Sequence, residues 1–215
     1  MRLTPETLRL AVAELGARDP DLAAVVGRYG PPPLWARRPG FSTLIRIILE
    51  QQVSLRSAAA AYARLQAVAG RVTPARVASI SERSLRAAGL TRQKAAYCRG
   101  LADAIVDGGF DLGRLDRLAD DEVRSALIEL PGIGPWTADI YLLIALRRPD
   151  VWPEGDLALA KALQRVKRLR AIPGDDRMTR IARSWAPWRA VAARVLWHDY
   201  LSSGRRNGRA VFRPA

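Results

Sequence analysis

Leu130-Pro131-Gly132-Ile133-Gly134-Pro135-Trp136-Thr137-Ala138-Asp139 joins two segments of helical periodicity through a turn that holds two glycines. Gly132 and Gly134 can both take positive φ. A tight turn built on them leaves backbone N–H groups aimed outward beside the N-terminus of the following helix, a cradle for phosphate oxygen. Ile133 pins the turn into the core. Pro-Gly-Ile-Gly also serves as an ordinary connection between two helices, and the charge of the chain moves the reading toward DNA. Lysine plus arginine number 35 against 21 aspartate plus glutamate, a net +14 whose field gathers polyanions. Nucleic acid is the first partner to consider, ribosome or anionic membrane the second.

Outward from the turn, nearly every segment repeats apolar residues at i, i+3, i+4 and i+7, and alternating apolar and polar runs are absent. The chain reads as all-α. Thr4-Pro5, Asp19-Pro20 and Thr73-Pro74 each pair a capping side chain with a proline whose missing donor costs nothing at a helix start. Further helices are expected over 41–51, 55–69, 82–88, 92–107, 120–129, 135–146, 156–168, 178–185 and 187–202. Gly30-Pro31-Pro32-Pro33 reads as a stiff connection inside one unit, and the basic tail Gly204-Arg205-Arg206-Asn207-Gly208-Arg209 is expected to be loosely held and to touch phosphates.

Hydrophobic residues make up 49% of 215, enough to fill one core or two small lobes, which excludes a disordered chain. The single cysteine, Cys98, cannot supply a four-thiolate zinc site or a cubane iron–sulfur cluster and indicates a reducing compartment. Glu6 and Glu14 interrupt the apolar N-terminal stretch, and no run of about 18 apolar residues occurs. A cytoplasmic protein without a cleaved leader is expected.

Several stretches in order resemble the helix-hairpin-helix DNA glycosylases, most closely their 3-methyladenine DNA glycosylase II branch. They are Phe41-Ser42-Thr43-Leu44-Ile45 leading to Gln51-Gln52-Val53-Ser54, then Gly89-Leu90-Thr91-Arg92-Gln93-Lys94-Ala95, the hairpin, Pro153-Glu154-Gly155-Asp156-Leu157, and Trp185-Ala186-Pro187-Trp188-Arg189 leading to Leu196-Trp197-His198. The resemblance runs from Phe41 to Tyr200 and implies a two-lobed helical glycosylase fold, lobe one about 1–35 plus 150–215 and lobe two about 36–149, with the hairpin at the cleft. The N-terminal mixed domain of longer relatives has no counterpart in the forty residues before Phe41.

The resemblance further implies that Gly132, Ile133, Gly134 and Thr137 hold the DNA backbone. It makes Asp156, some twenty residues past the hairpin, the catalytic carboxylate. A fixed carboxylate beneath a deoxyribose stabilises the oxocarbenium-like transition state and can orient or deprotonate water. Asp156 is also well placed to cap the helix beginning at Leu157, and the two roles are compatible because a helix N-terminus favours the anion. An alkylated purine is already cationic and needs no general acid. Its recognition would come from aromatic faces, here Trp136 and Trp197, with Tyr141 and His198 at the rim. Trp35, Trp152, Trp185 and Trp188 are assigned to packing.

Gln52, or its neighbour Gln51, is the candidate wedge for the hole that a flipped base leaves. The set Arg64, Arg71, Arg83, Arg86, Arg92 and Lys94 could line a face against phosphates. The carbonyls of Ile128, Leu130 and Ile133 are candidate ligands for a monovalent cation on the hairpin, and no side-chain metal site or other cofactor is expected. Trp136 stands where nicking relatives carry a nucleophilic lysine, so lyase chemistry is disfavoured. Ile140 and Leu157 replace further pocket aromatics, and Glu50 replaces a common glycine. The reading that results is a monomeric, monofunctional DNA glycosylase acting on alkylated bases in double-stranded DNA. Its rivals are a non-catalytic damage-sensing DNA-binding protein and a basic protein of RNA or ribosome.

Overall fold

The computed structural model describes residues 1–206, and among these all regular structure is helical. The helices are α1 (Pro5–Arg18), α2 (Pro20–Tyr29), α3 (Phe41–Glu50), α4 (Leu55–Ala69), α5 (Pro74–Ala78), α6 (Glu82–Ala87), α7 (Arg92–Val106), α8 (Asp120–Ile128), α9 (Pro135–Ile144), α10 (Leu157–Val166), α11 (Asp175–Ala182) and α12 (Arg189–Arg206). The three proline-marked starts fold as expected: the side chains of Thr4, Asp19 and Thr73 each accept backbone N–H groups of the first turn. Of the basic tail, residues 207–209 lie outside the described residues.

Three departures from the periodic pattern have local causes. A 3₁₀ turn at Leu112–Arg117, too short to show a period, is started by the Asp111 carboxylate accepting the Gly113 N–H at 2.8 Å and buries Leu115. Helix α11 begins at Asp175 rather than Met178, because Asp175 and Asp176 place negative charge on its first turn. Its last residues tighten into a 3₁₀ turn, Arg183–Trp185. The final helix starts at Arg189 rather than Pro187, since Asp150, remote in sequence, accepts the Arg189 N–H at 3.1 Å and ion-pairs with its guanidinium at 2.8 Å.

The chain forms two compact units, one of Met1–Ala36 with the described residues from Leu142 onward, the other of Arg37–Tyr141. In the first, α12 packs against α10, α2 and α1, burying residues such as Leu15, Leu22, Leu163 and Leu196. Its polar hub is Asp19. The carboxylate caps α2, accepts two hydrogen bonds from Lys167 Nζ at 2.7 Å and accepts the Trp185 indole N–H at 2.7 Å. Burial alone would raise the Asp19 pKa, but hydrogen bonds from Lys167 and Trp185 outweigh it and hold the group below its ordinary value. In the second unit α7 packs on α5, α6 and α3, and α3 on α4, around residues such as Leu44, Ile48, Val77 and Leu101.

Candidate active site

Asp156 belongs to the first unit and sits at the N-cap of α10, where its Oδ1 accepts the Leu159 N–H at 2.8 Å. The turn before it is braced from α11: the Asp175 carboxylate accepts the Gly155 N–H at 2.9 Å, and the Thr179 hydroxyl donates to Glu154 at 3.1 Å. Gly155, at φ 74°, supplies the left-handed residue that the reversal into α10 needs. The indole N–H of Trp197, from α12, also donates to Asp156 Oδ1, at 3.3 Å. The carboxylate is thus oriented by a helix start and by an aromatic side chain, and the residue is buried at 8% exposure. Capping leaves the charge available for chemistry, as an anion at a helix N-terminus is favoured.

Trp197 is half-buried and heads an aromatic group in the same unit. Its ring lies 6.5 Å from that of Trp35 at 66°, and Trp35 lies 6.3 Å from the His198 imidazole at 60°. His198 Nε2 donates to the Tyr29 carbonyl at 3.1 Å, since a carbonyl only accepts. The structure therefore brings together Asp156, Trp197 and His198 of the expected residues. Trp35, assigned to packing, is half-buried and packs edge-on against Trp197 and His198, whereas Trp152 and Trp185 are buried. Nothing local flags Trp35, because it lies between α2 and α3 where no helical period operates.

The hairpin belongs to the second unit and connects α8 to α9. Arg124 on α8 donates to the buried carboxylate of Asp139 on α9 at 2.6 Å, which ties the two helices together. Burial would lower the Arg124 pKa, but the hydrogen bond and charge of Asp139 raise it instead. Ile133 is buried, as a turn anchor should be. Gly132 has φ 78°, and a Cβ placed on it would meet Tyr97 Cγ at 2.3 Å. Gly134 departs from expectation: its φ is not in the positive region, and nothing lies within 4 Å of where its Cβ would be.

Gln51 and Thr137 are corrected by the same contact. The Gln51 side-chain amide donates to the Gly132 carbonyl at 2.8 Å and to the Thr137 hydroxyl at 2.9 Å. Gln51 therefore clamps the hairpin and is not free to act as a wedge. Thr137, 2% exposed, faces Gln51 rather than outward toward a DNA backbone. Gln52 is exposed beside it at φ 56°, an uncommon conformation for a residue with a side chain. Lys94 Nζ holds the loop from below, donating to the carbonyls of Leu49 at 2.7 Å and Gln51 at 2.9 Å. Burial pushes the Lys94 pKa down. Gln51, Gln52, Gln93, Lys94, Tyr97, Gly132 and Gly134 border a hollow of about 430 Å³.

Tyr141 is corrected as well. It is fully buried, its hydroxyl accepting the Gly40 N–H at 3.0 Å, so it has no rim face to offer. Burial raises its pKa. Trp136, on α9, remains half-buried. Of the six cations expected to line a phosphate face, Lys94 is spent on the loop and Arg64 donates to the Ala88 carbonyl at 2.7 Å. Arg83, Arg86 and Arg92 border an open depression of about 510 Å³. Glu50, in place of a common glycine, is held by both ends of the Arg37 guanidinium, at 2.6 and 3.2 Å. Among the described residues no group of three His, Cys, Asp or Glu could hold a metal, and no helix is long and apolar enough to cross a membrane.

Comparison with known proteins agrees with these features. The DNA-3-methyladenine glycosylase 1 of Schizosaccharomyces pombe is 28% identical over 180 residues, covering 82% of this chain and 79% of the relative. The putative DNA-3-methyladenine glycosylase YfjP of Bacillus subtilis is 27% identical over 187 residues, and the alignment covers 83% of this chain but only 65% of that relative's length. Among solved structures, the S. pombe 3-methyladenine DNA glycosylase in complex with abasic DNA superposes with a TM-score of 0.78 at 27% identity, over 89% of this chain and 95% of that one. Residues 45–187 match the family described as HhH-GPD superfamily base excision DNA repair protein. The span includes the hairpin and Asp156, and the chain belongs to that superfamily.

Proposed function

We propose that this protein is a monofunctional DNA glycosylase that releases cationic alkylated purines of the 3-methyladenine and 7-methylguanine type from double-stranded DNA by base flipping. The observation that carries the reading is Asp156: a buried carboxylate at a helix N-terminus, oriented by Leu159 N–H and the Trp197 indole. Relatives named as 3-methyladenine glycosylases support it.

As the C1′–N bond breaks, its electron pair leaves with the base, which departs neutral because it began as a cation. Positive charge develops on the deoxyribose, and Asp156 stabilises it. Water then adds to C1′ and loses a proton, leaving an intact abasic sugar. Trp197 offers a π face to the cationic base. Gly134, with open space above it, lets a phosphodiester approach backbone N–H groups, which carry no base information. Gln52 fills the vacated stack. The reaction needs no cofactor. A monovalent cation on the hairpin would have to share Leu130's carbonyl with the Ile133 N–H it already accepts at 3.2 Å, using the second lone pair. Such a cation would add positive charge facing the DNA backbone. We place the activity in the cytoplasm, on the nucleoid, with the protein as a monomer.

Asp156→Asn is the test. Asparagine keeps an oxygen for Leu159 N–H and remains a good cap, so only the charge is removed. Base release from a 7-methylguanine duplex should fall by at least about 100-fold, the usual cost of losing one such transition-state contact, with duplex binding kept. Release within about tenfold of the parent refutes the assignment. A parent that binds damaged duplex without releasing base would instead be a damage sensor.

A further inference from the structure

Trp35 is held in place at a cost. Its φ of 46° lies in the left-handed region, which a bulky aromatic residue rarely adopts. The device that imposes this is Arg194, fully buried on α12. Its Nε donates to the carbonyl of Leu34, the residue before Trp35, at 3.0 Å. Its other nitrogens donate to the carbonyls of Ala190 at 3.0 Å and Leu143 at 2.7 Å. Three carbonyl acceptors make an expensive way to bury a guanidinium. Burial pushes its pKa down to about 9. The arrangement fixes the backbone at Leu34–Trp35 against the helix that carries Trp197, one turn beyond Arg194.

Trp35 is only half-buried, unlike Trp185, which is 1% exposed with its indole N–H spent on Asp19. If the arrangement served packing alone, the ring would be expected to be enclosed. Trp35 instead stands edge-on to Trp197 at 66° and to His198 at 60°, and Trp197 touches the Asp156 carboxylate. All of these residues lie within the first unit. Trp197 beside the carboxylate and Trp35 edge-on to Trp197, both partly exposed, supply π surface and charge that favour a flat cation.

We infer that Trp35 is the second aromatic wall of the base site, a specificity residue that selects N-alkylated purine cations over neutral purines. The inference rests on the glycosylase reading above and deepens it. It also accounts for how a chain with Ile140 and Leu157 at aromatic positions of its relatives could still select cationic bases: the second ring comes from the connection between α2 and α3.

The experiment compares the full chain with its Trp35→Leu and Trp35→Phe variants. Single-turnover excision is measured on matched duplexes carrying 7-methylguanine, a cation, or hypoxanthine, a neutral purine, with thermal midpoints read alongside. Trp35→Leu should lower the saturating-to-half-saturation ratio on 7-methylguanine by about tenfold and that on hypoxanthine by less than threefold, mainly through weaker half-saturation. Trp35→Phe should recover most of the loss. Equal losses on the two duplexes, no loss on 7-methylguanine, or leucine matching phenylalanine overturns the inference and returns Trp35 to a packing role. Failure of the parent itself to release either base overturns the glycosylase reading, and the inference with it.

Discussion

Gly132 and Gly134 look alike in sequence but differ in what a methyl group would do to each. At Gly132 an alanine would take φ 78°, where a Cβ costs about 1–2 kcal/mol. That Cβ would also fall 2.3 Å from Tyr97 Cγ, 2.5 Å from Cδ2 and 2.6 Å from Cβ. Tyr97 Cβ sits next to its own backbone and cannot simply swing aside, so the overpacking adds about 1–3 kcal/mol. Gly132→Ala should therefore lose about 2–5 kcal/mol, a fall of roughly 5–15 °C in thermal midpoint for a chain of this size. Gly134→Ala meets nothing within 4 Å and should melt within about 2 °C of the parent. It should nevertheless weaken binding to damaged and undamaged duplexes alike, if phosphate approaches the backbone there. Circular-dichroism melts and fluorescence anisotropy with both duplexes measure the two effects. The double variant Gly132→Ala/Tyr97→Ala supplies the internal check, because removing the tyrosine ring relieves the contacts with Cγ and Cδ2, leaving only that with Cβ, and the two losses should be less than additive by about 1 kcal/mol or more. A Gly132→Ala protein that melts with the parent, or strict additivity, refutes the steric reasoning.

Three other outcomes are expected. Asp19 has a pKa held below its ordinary value, so its stabilisation is complete above the unfolded carboxyl pKa near 3.8 and is lost as pH falls through the lower folded value. Asp19→Asn should cost about 3 kcal/mol at pH 7 in urea unfolding, and its stability should decline less than the parent's below about pH 4; parallel pH profiles would contradict this. Gln51→Ala leaves the Gly132 carbonyl and Thr137 hydroxyl without their clamp and should lower stability by about 1–3 kcal/mol, measured as a shifted urea midpoint; an unshifted midpoint would remove the clamp from the account. Borohydride should trap no protein–DNA crosslink on the proposed reading, in which the resemblance puts Trp136 where nicking relatives carry a nucleophilic lysine; Lys161 lies exposed on α10, five residues past Asp156. A crosslink mapped to any lysine would show a lyase.

Much of this protein was determined by local chemistry that can be read along the chain. Thr4, Asp19 and Thr73 before proline start helices because capping and a fixed φ act within one turn. The 3.6-residue period places Leu44, Ile48 and Leu163 inside, and Asp156 caps its helix by accepting the N–H of Leu159 three residues on. The hairpin, Asp156 and Trp197 were legible through their order and spacing. Tertiary structure decided what depends on groups far apart in sequence. The Gln51 clamp spans 81 residues to Gly132, and Arg194 reaches 160 residues back to Leu34. Asp150 supplies the cap of α12 from 39 residues away, and Tyr141 turns inward to meet Gly40, 101 residues distant. A polar side chain at the end of a helix carries no local mark of whether it will face solvent, DNA or another loop. That choice belongs to the partner that packing brings within about 3 Å, so the Gln51 clamp, the turn glycine under strain and the surroundings of Trp35 became distinguishable only after the chain had folded.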